Sequence, residues 1–135
     1  DPLLKHIRTR GTDEGLIVEV FDIEGSPLFD GDTAQPNAIF DRLLAMIGRV
    51  ASRITNPIAV TGHLATRDIG AGRPDPWTLS TNRAQLTRER LEAAGVADAR
   101  IARVTGKADR DPVAETGDDS RNRRIEITLL RRFKP

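Results

Sequence analysis

The chain has 135 residues, 38% of them hydrophobic and 30% charged, with a formal net charge of +1 and no cysteine. That length suits one domain with a core of its own. The even charge balance argues against a nucleic-acid binder. Without cysteine there are no disulfides, thiolate metal sites or cysteine nucleophiles, and no run of about 18 apolar residues is present to span a membrane.

Residues 1–14 are polar apart from Leu3, Leu4 and Ile7, and read as a linker or short helix ahead of a domain at 15–135. The opening residues lack the basic region and apolar run of a signal peptide. From Gly15 to Asp22, Leu16, Val18 and Val20 alternate with Ile17, Glu19 and Phe21, the pattern of a strand with one strongly apolar face. Glu24-Gly25-Ser26-Pro27 is a turn, after which Leu28-Phe29 re-enters apolar surroundings before Asp30-Gly31-Asp32. Between Asn37 and Ile54, the residues Phe40, Leu43, Leu44, Ile47, Val50, Ala51 and Ile54 recur at helical spacing. Pro36 suits the first turn of that helix.

Ile58–His63 is a second strand, apolar enough at its start to be covered on both faces. Leu64–Thr78 shows no periodicity, and a loop that long in a small domain is usually functional. Ser80 reads as the N-cap of a helix running to Ala94, with Leu79 as its staple and Gly95 as its stop. Arg100–Gly106 is a third strand, 107–122 a polar loop and Arg124–Leu130 a fourth strand. The order strand, helix, strand, helix, strand, strand predicts an α/β (α+β) two-layer sandwich, with two helices on one face of a mixed four-stranded sheet.

Enzyme signatures are missing. There is no Gly-x-Ser-x-Gly elbow, no His-Glu-x-x-His and no phosphate loop, and Gly70-Ala71-Gly72 reads as loop flexibility. His63 has no nucleophile at a recognisable spacing and reads as a structural histidine. No catalytic residue, metal or cofactor is expected. Arg83 carries more information. With Ser80 as cap it falls in the first helical turn, where the helix dipole disfavours a cation by roughly 0.3–1 kcal/mol. An anion docking between the guanidinium and the helix end would justify it; an Arg paired with an Asp of this same chain would too, and the residues leave both open. Asn122-Arg123-Arg124 either flanks the sheet end or guards an edge in solvent, with Asp118-Asp119 placed to neutralise it.

Several motifs in order resemble the OmpA-like peptidoglycan-binding domain. They are Val60-Thr61-Gly62-His63, Leu79-Ser80-Thr81-Asn82-Arg83-Ala84, Gly95-Val96, Arg100-Ile101 with Gly106, and Asn122-Arg123-Arg124-Ile125-Glu126-Ile127. Phe21–Phe29 and Trp77 ahead of Leu79-Ser80 resemble the flagellar stator branch of that family, the MotB type. The resemblance implies a non-catalytic periplasmic domain that anchors a motor stator to the cell wall. The ligand it implies is the peptidoglycan stem peptide of diaminopimelate type. It further implies a membrane helix outside this chain that anchors the full protein in the inner membrane, a membrane-embedded stator partner subunit and a homodimer, with no role for nucleic acid.

Carried over by position, Arg83 grips a stem carboxylate and Phe29, Asp30 and Leu79 contact the ligand. Arg123 and Arg124 are a family signature pair, and Arg124 is counted in the binding set. One departure stands out: the family reads Thr-Gly-His-Thr-Asp, whereas Ala65 occupies the place of that Asp here. Asp68 is the nearest replacement for the ligand's amine, and Asp75 the next. Two further readings are a generic OmpA/Pal-type cell-wall tether and a small periplasmic hydrolase using His63 and an Asp. On this reading Arg83→Ala weakens binding and leaves stability nearly unchanged.

Overall fold

The alternating apolar runs around Val18 and Ile127 become neighbouring strands of one mixed five-stranded sheet in the computed structural model, which describes residues 2–117 and 119–132. The strands are β1 (Ile7–Thr12), β2 (Gly15–Phe21), β3 (Ile58–His63), β4 (Ile101–Gly106) and β5 (Arg124–Leu130), in spatial order β1-β2-β5-β3-β4. Only β3 and β4 run parallel. The C-terminal strand β5 lies in the middle and pairs antiparallel with both β2 and β3. Helices α1 (Ala38–Ala51) and α2 (Pro76–Ala93) pack together over one face.

The core is the meeting of the two helical stripes with that face. Phe40, Leu43 and Leu44 of α1 and Ala84 and Leu91 of α2 form one buried cluster with Val20, Ile58, Val60, Ile125 and Ile127. Ile47 also faces the sheet but lines an open apolar groove of about 210 Å³ with Val18, Met46, Val50 and Leu129.

The structure corrects the sequence reading in three places. Residues 1–14, expected as linker or short helix, hold a short 3-10 turn at Leu4–His6 and then the edge strand β1, so the sheet has five strands where four were expected. Buried His6 pins this segment: its Nδ1 lies 2.7 Å from the Phe21 carbonyl oxygen and its Nε2 3.1 Å from Ser26 Oγ. Helix α2 starts at Pro76 and is capped by Asp75, whose Oδ2 accepts a bond from the Thr78 N–H (2.9 Å). Asp followed by Pro satisfies the cap and the first helical position together. Ser80 therefore sits in the second turn, and its hydroxyl donates back to the Pro76 carbonyl (2.8 Å). Pro36 precedes the cap residue Asn37 of α1 and does not enter the first turn.

The other sheet face is polar yet largely covered. Arg10 donates to Glu19 (2.7 Å) and Glu126 (3.3 Å), and Arg124 donates to Glu126 (2.9 Å). His63 Nε2 lies 3.4 Å from Glu126 Oε1, without hydrogen-bond geometry. Arg124 also donates to the Asp111 carbonyl (2.9 Å), which ties the 107–122 segment to the sheet. Asp119 accepts the Arg121 N–H (2.8 Å); Asp118 lies outside the described residues. Burial pushes the Glu126 carboxyl up, but the neighbouring His63 and Arg124 outweigh it and hold the group at about 2.

Leu43→Ala should lower stability by about 2–5 kcal/mol, and Ile47→Ala by less because its groove is open; urea midpoints of the two variants test the ranking. Glu126 ionises more readily in the folded chain, so it contributes stability above its ordinary value of 4.5 and loses it as pH falls toward 2. Glu126→Gln should be less stable than wild type at pH 7 by about 3 kcal/mol at most, with the gap narrowing toward pH 2 in urea titrations.

Candidate ligand-binding site

The site is built where α2 presses closest to the sheet. A Cβ at Gly62 would collide with the Ser80 carbonyl, and one at Gly106 with Thr81. Ser80 Oγ also accepts the Ala108 N–H (3.1 Å), which fixes the height of the helix over β3 and β4. Arg83, one turn after the buried Leu79, then meets the segment after β2.

Arg83 is 5% exposed. Its Nε donates to the Thr33 carbonyl (2.8 Å) and its Nη2 to the Gly31 carbonyl (2.9 Å). Its Cζ lies 4.5 Å from the centroid of the Phe29 ring, which in turn meets Phe40 edge-on at 5.0 Å. No described residue partners Nη1. Arg83 therefore sits well inside α2 and not at its N-terminus, so the helix-end argument for an anion does not apply. Its protein partners are backbone carbonyls and a ring, with carboxylates acting only at longer range. Burial pushes the guanidinium down from its ordinary value, against the upward pull of Asp68 and Asp22.

Those two carboxylates share Arg123. Asp68 takes its Nη2 at 2.7 Å and its Nε at 3.0 Å, and Asp22 lies 3.4 Å from Nη1. Asp68 is 2% exposed, and its Oδ2 also accepts the Ala65 N–H (2.9 Å). Ala65 is itself buried at the start of this turn. Burial pushes the Asp22 carboxyl up, while the Leu28 N–H and Arg123 pull it down. Asp22 carries no local signal of its place here, since its partner Arg123 lies about a hundred residues away.

Around this buried centre the rim is exposed. Asp30 is solvent-facing and shapes a turn by accepting the Thr33 N–H (3.2 Å). Arg73 Nη1 donates to both oxygens of Asp32 (3.0 and 3.1 Å), joining the loop before α2 to the loop before α1. Asp75 is the exposed helix cap, its carboxyl held below the usual range by the Thr78 N–H and hydroxyl. Of the residues singled out in the sequence, the structure brings Phe29, Arg83 and Asp68 to one place with Asp30 at its edge, and Leu79 is buried one turn before Arg83 on α2. Arg124 is elsewhere, buried on the polar face against Glu126.

The sequence pattern of the OmpA family matches residues 28–126. Motility protein B of Escherichia coli (strain K12) is 29% identical over 137 residues, covering 96% of this chain and 44% of that protein. The chain thus spans less than half of that relative. The cell wall anchor of the type VI secretion system from Pseudomonas aeruginosa superposes with a TM-score of 0.76 at 27% identity, over 96% of this chain and 94% of that one. A MotB-like protein from Desulfovibrio vulgaris superposes at 0.79 with 24% identity, over 95% and 83%, and shows the same fold.

The bonds of Arg83 change one expectation. Arg83→Ala removes two charge-assisted hydrogen bonds and a ring contact, so it should lower stability by about 1–3 kcal/mol where no change was expected from the sequence. Asp75→Asn should be nearly neutral, because Asn caps as well as Asp. Urea denaturation of the two variants separates these outcomes.

Proposed function

This chain belongs to the OmpA family, and we propose that it is a non-catalytic peptidoglycan-binding domain that anchors a flagellar motor stator to the cell wall. One observation carries the reading. The Arg83 guanidinium is buried and held in place by the Thr33 and Gly31 carbonyls, with Nη1 left unpartnered among the described residues. A guanidinium fixed in this way is ready to take a carboxylate at no further cost in side-chain order. The stem peptide of diaminopimelate type supplies that group.

His63 supports the non-catalytic reading. It is buried on the polar face of the sheet, and burial pushes its imidazole down. Among the described residues no helix is long and apolar enough to cross a membrane. The periplasmic location, an inner-membrane anchor outside this chain, the stator partner subunit and the pairing of two copies belong to the same proposal and rest on the likeness to Motility protein B. A second reading, a cell-wall tether outside the flagellar motor, is favoured by the type VI secretion anchor, which matches this chain over nearly its whole length.

Sedimentation with purified sacculi tests both at the level of the ligand. Wild-type chain should co-sediment, and free diaminopimelate should release it. 1,5-Diaminopentane, which lacks both carboxylates, should not. Arg83→Lys keeps the charge but loses the fork, and should bind about tenfold or more weakly. Sedimentation unaffected by diaminopimelate, or equal release by the diamine, would refute the carboxylate reading.

A further inference from the structure

On the far side of the sheet from Arg83 lies a second cleft, between β1 and the segment that runs from Asp111 to Arg121. It has a volume of about 390 Å³ and is lined by Arg8, Arg10, Glu19, Asp111, Val113 and Arg121, with Pro112 beside them. We infer that this cleft is an oxyanion-binding site, taking a carboxylate or phosphate group independently of Arg83.

The charges in the cleft do not cancel. Arg10 is satisfied by Glu19 and Glu126. Glu19 is closed by that bond, and among the described residues Asp111 is paired with Lys107 alone, 3.7 Å away. Arg8 and Arg121 have no side-chain hydrogen bond or ion pair among the described residues, and Arg121 Nε is shut off from solvent with no acceptor. A desolvated donor without a partner costs free energy that an incoming oxygen would recover. Two uncommitted guanidinia beside a third are the arrangement that grips a carboxylate or phosphate from two sides.

The cleft is also preformed. Its outer wall is not a loose loop, because the Asn122 side chain accepts the N–H groups of Val113 (2.8 Å) and Ala114 (3.0 Å) and donates to the Thr116 carbonyl (2.9 Å). Arg124 holds the Asp111 carbonyl from below. Its inner wall is the edge strand β1, where register places Arg8 beside Glu19. A rigid frame with uncommitted cations loses little order on binding. The polar segment 107–122, which resembles no recognition motif, thereby gains a role.

The test is a titration of the isotope-labelled chain with inorganic phosphate, and in a second arm with a tricarboxylate, at fixed ionic strength. Saturable shifts should appear at the Arg121 Nε–H and at the Val113 and Ala114 amides. The arm that saturates first identifies the oxyanion preferred. The Arg8→Gln/Arg121→Gln double variant should bind about tenfold or more weakly, and should fold normally because neither side chain holds a side-chain partner among the described residues; an unchanged thermal midpoint checks this. Arg83→Lys should leave the shifts intact, so failure here is distinguishable from failure of the stem-peptide reading. No saturable shift in either arm, equal shifts in the double variant, or loss of the shifts in Arg83→Lys would each overturn the inference.

Discussion

The close approach of α2 to the sheet governs the site. Gly62 and Gly106 leave no side chain between β3, β4 and the helix, and the buried Ser80 hydroxyl is tied to both Pro76 and Ala108. Once the helix lies at that depth, the Arg83 guanidinium is held between the Phe29 ring and the Gly31 and Thr33 carbonyls. Those carbonyls belong to the segment between β2 and α1, so a single guanidinium joins two crossover connections. The Thr61-Gly62-His63 motif thus acts through packing: its glycine admits the helix, while its histidine turns to the opposite face.

Neighbouring arginines serve opposite ends of this design. Successive residues entering a strand point to different sides, so Arg123 turns to Asp22 and Asp68 while Arg124 turns to Glu126. The first pair of carboxylates lies in the field of Arg83; the second network seals the polar face. Breaking either would strand a buried charge, which is far more costly than never having built the pair. The cationic cluster is therefore mostly structural, and its link to the ligand site runs through Arg123.

The core elements were legible because each had a strong apolar period: β2 and β5 by alternation, α1 by its stripe, β3 by its apolar run. Strand β1 was not, because an edge strand with Arg8, Thr9, Arg10 and Gly11 buries little and shows no period. The start of α2 was misplaced because Ser80 offers the cap signature while Asp75-Pro76 offers a better one, and only the hydrogen bond to Thr78 decides between them. Arg83 was singled out by a local argument that does not hold in the structure, and by the resemblance. The structural roles of Asp22 and Asn122, and the cleft beside Arg121, stayed invisible, since their partners are fixed by pairing of β2 with β5 and by loop closure.

The exchange of the family's Asp for Ala65 has a physical consequence on the proposed reading. Asp68 is the carboxylate closest to the vacated position, yet its oxygens already hold Arg123 and the Ala65 N–H, and it is almost wholly buried. It can act on a bound ammonium through its field, but a direct bond would compete with Arg123 for the same oxygens. The stem's amine then remains in water or meets the exposed rim, where Asp30 stands and Asp32 is already paired with Arg73. Rim contacts of that kind contribute little in a high-dielectric setting. On that reading recognition would rest on the anionic end of the ligand, and a single domain would hold the wall weakly. Two copies joined to one assembly would convert that weak grip into a firm one, because the second contact forms at high effective concentration.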